Sequence, residues 1–345
     1  MAVFWWTKAG NSYANGEGVE KDSITAVFWW TKAAEQGNAE AQCNLGNSYT
    51  NGEGVKKHSK IAVFWWTKAA EEGNAEAQYN LGNSYYNGKG VEKDSKMAVF
   101  WWTKAAEQGN AKAQCDLGVS YDNGEGVETD SKMAVYWWTK AAEQGQAQAQ
   151  FNLGFFYGYG KGVEKDSKMA VFWNTKAAEQ GNVEAQRNLG ICYAYGKGVE
   201  TDYKMAVFWF TKAAKQGNAK AQYNLGVCYY KGEGVETDHK MAVFWYTKAA
   251  EQGLAQAQCN LGLSYGNGNG VETDYKMAVF WFTKAAGQGH AQAQWNLGIC
   301  YDNGVGVEKD KEMTVFWYTK AAGQGHARAQ IELQRLHEKV TAQKK

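Results

Sequence analysis

The sequence predicts an all-α solenoid built from tandem helix–turn–helix repeats of 36 residues. Residues 39–326 divide into eight repeats of equal length, whose residues recur in register. Each repeat contains two runs of good helix formers separated by a glycine-containing stretch. No segment alternates apolar and polar residues with the period of two that marks a strand. These three observations favour stacked helix pairs over a pair of globular domains.

The first helix of each repeat is predicted at positions 1–13, where position 1 of the first repeat is Ala39. Gly at position 14, such as Gly52, tolerates the left-handed backbone that ends a helix. Asn at position 36, such as Asn74, is expected to cap the first helix of the following repeat. Other residues stand at four junctions and predict weaker caps: Gln146, Leu254, His290 and His326.

The second helix is predicted at positions 21–34. Asp at position 20, such as Asp94, can accept hydrogen bonds from the first backbone N–H groups of that helix. His58 replaces this Asp in the first repeat, and Gly at position 35, such as Gly109, is expected to end the helix.

The positions that do not vary predict how the repeats pack. Positions 3, 7, 10 and 11 share one face of the first helix, with Leu at position 7 throughout. Trp fills position 27 of every repeat, and Trp137→Ala is expected to cost about 3–5 kcal/mol locally. Gly at position 8 costs about 1 kcal/mol inside a helix, which predicts that a bulky neighbour such as tryptophan approaches there. Position 28 varies, and we expect it to pack between repeats.

The whole pattern, AxAxxxLGxxYxxGxGVxxDxxKAxxWxxKAAxxG, resembles the Sel-one-like repeat family, which is related to the tetratricopeptide repeats. The resemblance covers almost the whole chain. Its departures are His58 and the Met that usually precedes Ala at position 24. It implies a right-handed superhelix of antiparallel helix pairs. It also implies a scaffold or adaptor that binds other proteins.

Both ends depart from the repeat pattern. Residues 1–38 form an atypical partial repeat, in which residues 2–9 copy a second helix and about twelve residues are missing before Gly10. One interpretation is a deletion or a truncated gene model. The other is an apolar patch for self-association, made by Phe4, Trp5 and Trp6.

The C-terminal segment, residues 327–345, begins like a ninth first helix. Lys339, Lys344 and Lys345 make it polar, so it is expected to form a solubilising capping helix.

Positions 2, 5, 9 and 12 vary from repeat to repeat and lie opposite the constant face of the first helix. Stacking would align them along one continuous surface, and the resemblance to tetratricopeptide-like solenoids implies that this surface is the concave groove. Such a groove would bind a protein or peptide with apolar anchors. The alternative is that these positions drift on a solvated face or pack between repeats. The candidate groove residues are Tyr79, Tyr86, Phe151, Phe155, Arg187, Tyr223, Tyr230 and Trp295.

Composition argues against several other functions. A net charge of +1 gives no overall attraction for nucleic acid, and the longest apolar runs are too short to insert in a membrane. The histidines and cysteines lack metal-ligand spacing, and no cofactor motif is found. The six cysteines recur at positions 5 and 10, too far apart in a stack for disulfides.

These features predict a cytoplasmic adaptor that is not an enzyme. Two alternatives stay open. One is a β-lactamase-like hydrolase, by resemblance to the cysteine-rich branch of the same family. The other is a structural spacer, which the near-identity of the repeats favours.

Overall fold

The computed structural model describes residues 1–342, and every regular element in that range is an α-helix. Lys344, Lys345 and the side chain of Lys339 lie outside the described part. The helices are α1 Ala2–Asn15, α2 Ser23–Glu35, α3 Ala39–Asn51, α4 Ser59–Glu71, α5 Ala75–Asn87, α6 Ser95–Glu107, α7 Ala111–Asn123, α8 Ser131–Glu143, α9 Ala147–Tyr159, α10 Ser167–Glu179, α11 Val183–Tyr195, α12 Tyr203–Lys215, α13 Ala219–Lys231, α14 His239–Glu251, α15 Ala255–Asn267, α16 Tyr275–Gly287, α17 Ala291–Asn303, α18 Lys311–Gly323 and α19 Ala327–Ala342.

The chain divides into two compact halves, Met1–Gln180 and Gly181–Lys345. Within each half, every helix packs against the helices before and after it, so each half is an α-solenoid. From α3 to α17 the odd-numbered helices occupy positions 1–13 as predicted. The even-numbered helices from α4 to α18 occupy positions 21–33 and end one residue earlier than predicted.

The helix ends follow the predicted caps. The glycines at position 14 adopt φ between 64° and 79°, as in Gly52 and Gly196. Asp94 accepts from the backbone N–H groups of Lys96 and Met97. His58, in the place of that aspartate, accepts from the Ile61 N–H through Nδ1.

The caps of the first helices differ in hydrogen-bond length and in whether a side chain makes one, in the direction that the sequence predicts. The cap bonds made by Asn at position 36 measure 2.8–3.0 Å. His290 and His326 make longer bonds of 3.3 Å, whereas Gln146 and Leu254 make no side-chain cap.

The glycine at position 8 forms a notch that a side chain at position 28 of the same repeat fills. A Cβ on Gly118 would overlap the Trp138 indole, and Phe210 lies equally close to Gly190. The predicted bulky neighbour is therefore confirmed. Asn174 is the exception, because it fills the notch at Gly154 with an amide.

Positions 27 and 28 also join successive repeats. In the first half, Trp66 at position 28 lies in one apolar cluster with Leu81 of the next repeat, and Trp101 at position 27 packs against that cluster. In the second half, Tyr246, Leu261 and Trp281 repeat the arrangement. The expectation that position 28 packs between repeats is confirmed. The side chain at position 28 also contacts the position-8 glycine of its own repeat, which the sequence did not indicate.

The N-terminal helix shows how the atypical segment is accommodated. α1 is continuous and packs on α2, so a sequence that copies a second helix occupies a first-helix place. Trp6 packs against the cluster that contains Trp30. Phe4 and Trp5 are 63% and 56% exposed.

Candidate functional site

The candidate site is the surface formed by positions 2, 5, 6, 9 and 12 of the first helices, which we call the first-helix face. In the first half, consecutive first helices contact one another: α3 contacts α5, and α7 contacts α9. Equivalent positions of neighbouring repeats are therefore adjacent on this face.

In the first half, the predicted residues Tyr79, Tyr86, Phe151 and Phe155 are all at least partly exposed on this face. The Tyr86 ring lies 5.4 Å from that of Trp102. Phe155 is 41% exposed, and its ring lies 4.5 Å from that of Tyr159.

Polar contacts hold the two tyrosines. The Tyr86 hydroxyl donates to Glu125 at 2.9 Å, and this hydrogen bond raises the pKa of Tyr86. Burial raises the pKa of Tyr79, whose hydroxyl also contacts Asp116. Burial likewise raises the pKa of Asp116 to about 6, against the opposing effect of the hydrogen bond from Tyr79. Asp116 stands at position 6, where the other seven repeats have Asn.

In the second half, Arg187, Tyr223 and Tyr230 are at least partly exposed. Arg187 pairs with Glu184 at 3.0 Å, and the Tyr223 ring lies 5.9 Å from that of Tyr246. Tyr230 is 40% exposed.

Trp295 differs from the other candidates because it is only 8% exposed. Its ring stacks on Tyr318 at 4.8 Å and on His326 at 5.3 Å. The side chain therefore belongs to the packing of α17 against α18 and the start of α19, and little of it is open to a partner.

A pocket of about 110 Å³ opens between α13 and α15 beside Tyr230. Most of its lining carries no signal in the sequence, because Asn260 stands at a nearly constant position and Tyr246 at a position expected to pack between repeats. Leu263, at the variable position 9, is 37% exposed. The pocket is lined by Tyr230, Tyr246, Asn260, Leu263, Ser264 and Asn269.

Part of the variation at position 9 follows internal hydrogen bonding. Where position 28 is Trp and position 9 is Asn, the indole N–H donates to that Asn, as Trp66 does to Asn47. Where position 9 is Val119, the N–H of Trp138 donates to the Cys115 carbonyl instead. Variation at a position of this face is therefore not by itself a sign of partner contact.

The cysteines are free thiols, as predicted. Burial raises the pKa of Cys43, Cys115 and Cys259 to about 12, so these thiols stay protonated at neutral pH and are poor nucleophiles. Within residues 1–342, no three His, Cys, Asp or Glu side chains cluster as metal ligands. In the same range, no helix is both long and apolar enough to cross a membrane.

Comparison with known proteins identifies the repeat. The Sel1 repeat model matches residues 7–38, 39–74, 75–110, 111–146, 147–182, 183–218, 219–254, 255–290 and 291–326. The partial repeat at the N-terminus is thus included from residue 7. No curated protein matches the chain.

Two solved structures are similar over most of their length. One is c5321, a protective antigen present in uropathogenic Escherichia coli strains that displays an SLR fold. It is 41% identical, with a TM-score of 0.92, and the match covers 97% of this chain and 72% of that one. The other is a Sel1 repeat protein from Oxalobacter formigenes, 33% identical, with a TM-score of 0.67 and coverage of 97% and 94%.

Proposed function

The chain belongs to the Sel1 repeat family, and we propose that it is a scaffold that binds a segment of another protein along its first-helix face. Solenoids of this family are typical of protein-interaction scaffolds and present extended binding surfaces. We propose no catalytic role for this surface.

The observation that carries the proposal is the pocket beside Tyr230. Its volume of about 110 Å³ matches one branched aliphatic side chain, and Tyr230 and Leu263 are open to solvent at its edge. Aromatic residues around a small pocket are typical of the anchors that dominate protein–peptide affinity.

A second anchor in the first half is the pair Phe155 and Tyr159, which are 41% and 74% exposed with their rings in contact. The charges near both anchors are largely paired, as Lys161 is with Asp122 and Lys231 with Glu233. We therefore expect a partner segment with apolar anchor residues rather than a charged tail.

The test is a pull-down from lysate of the source cells with two matched variants, read by mass spectrometry. One variant removes the anchors (Phe155→Ser, Tyr230→Ser, Leu263→Ser). The control removes three exposed aromatics of the second helices (Phe64→Ser, Phe100→Ser, Phe172→Ser). All six side chains are at least 37% exposed, so both variants should fold, as circular dichroism would verify.

A protein captured by the wild type and the control but lost from the anchor variant would support the proposal. The capture experiment would then be repeated with this chain and the captured protein, both purified. Capture that survives in the anchor variant would overturn the proposal. The absence of any specific protein would favour a structural spacer.

We also propose self-association through Phe4 and Trp5, whose exposed rings lie 5.6 Å apart. Trp6 is excluded because it packs inward. Light scattering of Phe4→Ser/Trp5→Ser should give a lower mass than the wild type, and equal masses would contradict the idea. The six free thiols support a reducing compartment, the cytosol, for this scaffold.

A further inference from the structure

The second helices carry a regular row of exposed aromatic side chains at position 26. In the second half these are Phe208, Phe244, Phe280 and Phe316, each 45–47% exposed. Apolar side chains of this size are normally buried or scattered singly on a surface. Here one recurs in every second helix of the half, so the exposed rings form a row.

Lysines flank the row on both sides. In α12, α14 and α16, lysine stands four residues before the aromatic, at Lys204, Lys240 and Lys276. In all four helices, lysine also stands four residues after it, and the Nζ atom lies 4.7–5.9 Å from the ring centroid. Residues four apart share one face of a helix. Position 33 lies three residues after the second lysine and is on the same face. Positions 22, 26, 30 and 33 of each second helix thus define a surface, which we call the second-helix face.

This face is more basic in the second half than in the first. At these positions, helices α12, α14, α16 and α18 carry eight lysines and two glutamates, Glu251 and Glu312. At the same positions, helices α2, α4, α6, α8 and α10 carry nine lysines and five glutamates, because position 33 is always Glu there. Among residues 1–342, none of these eight second-half lysines forms an ion pair. The net charge of +1 conceals this local excess.

We propose that the second-helix face of the second half binds an acidic peptide segment whose carboxylates alternate with apolar side chains. The carboxylates pair with the unpaired lysines, and the apolar side chains contact the exposed phenylalanine rings. This surface is separate from the first-helix face, so the inference does not depend on the proposed function.

Two other anionic partners fit the geometry less well. Nucleic acid bases stack on open aromatic faces, but here Lys212 and Lys284 lie over the rings and Trp209 and Trp281 pack edge-on. A duplex, which is much wider than a single peptide strand, would also cover the acidic turns before each helix, which bear residues such as Asp238. To enter a bilayer, aromatic rings must project beyond the neighbouring cations. Here the rings are half-buried and lie beneath lysines, so they do not project in this way.

The experiment is fluorescence anisotropy with the full chain and a labelled peptide of about 12 residues that repeats Glu-Leu-Glu-Ser, long enough to cross several helices. We expect saturable binding that weakens as salt rises. Phe244→Ser/Phe280→Ser and Lys248→Glu/Lys284→Glu should each weaken it by about ten-fold or more. The matched first-half variants Phe100→Ser/Phe172→Ser and Lys104→Glu/Lys176→Glu should change it by less than about two-fold.

Specificity is tested with two further peptides, one with lysine in place of glutamate and one with serine in place of leucine; both should bind more weakly. Failure to bind the acidic peptide, or equal losses in the matched variants of both halves, would overturn the proposal. The proposal would also be overturned if a single-stranded oligonucleotide of similar length, or phosphatidylserine vesicles, bound more tightly than the acidic peptide and lost that binding in the second-half variants.

Discussion

At the residue scale, the position-8 glycine shows how packing can override helix propensity. Its recurrence inside a helix predicted a close neighbour, and the structure identifies the neighbour as position 28 rather than the constant Trp at position 27. The sequence could not separate these two candidates, because both are usually aromatic and lie next to each other.

Two glycines of the first half form a matched test of this packing. In Gly118→Ala the new methyl group would overlap Trp138, so strain should outweigh the helix gain and lower stability by about 1–3 kcal/mol. In Gly158→Ala the methyl group meets only Ala170, at 3.7 Å, and stability should rise by up to about 1 kcal/mol. Urea denaturation would measure both. Equal shifts in the same direction would show that the notch is not filled as described.

Asp116 gives a pH-dependent prediction. Its pKa is raised from an ordinary 3.8 to about 6 chiefly by burial, so folding favours the protonated form. The contribution of the Asp116 site to the free energy of unfolding should be fully present below about pH 4 and should be lost as the pH rises through about 6. Asp116→Asn supplies the residue found in other repeats, and should stabilise by about 1–3 kcal/mol at pH 8 but by little at pH 4. A pH-independent difference would contradict this origin.

At the scale of the helix, most of the fold could be predicted, because each helix carries its own start and stop signals. Asp94 and Gly52 mark ends that the structure reproduces, and even the weak caps at Gln146 and Leu254 were expected. The candidate site was less predictable. Trp295 is variable in sequence but buried, because burial depends on the neighbouring helices and not on variation.

The caps predict a reciprocal exchange between two helices. Gln146→Asn should supply the missing cap of α9 and raise stability by about 0.5–1 kcal/mol, because a shorter amide can reach the backbone N–H two or three residues ahead. Asn110→Gln should remove the bond to the Ala113 N–H and lower stability by a similar amount. In thermal melts, the melting temperature should rise for Gln146→Asn and fall for Asn110→Gln. Shifts in the same direction would be inconsistent with a cap that depends on the length of the side chain.

At the scale of the whole molecule, stability in each half depends on contacts between successive helices. Such a chain behaves as a linear series of repeat energies and interface energies. Damage in one repeat should therefore spread to its neighbours and then fade with distance along the stack.

Hydrogen exchange of Gly118→Ala can test this locality within the first half. The strained contact lies between α7 and α8, so amide exchange should accelerate there by the largest factor and less in α6 and α9, which pack against them. Helices α1–α3 have no packing partner in the damaged pair, and their exchange should stay at the wild-type rate. Gly158→Ala is the control, because it should slow exchange in α9 without accelerating it elsewhere. A uniform acceleration from α1 to α10 would mean that the first half opens as one cooperative block.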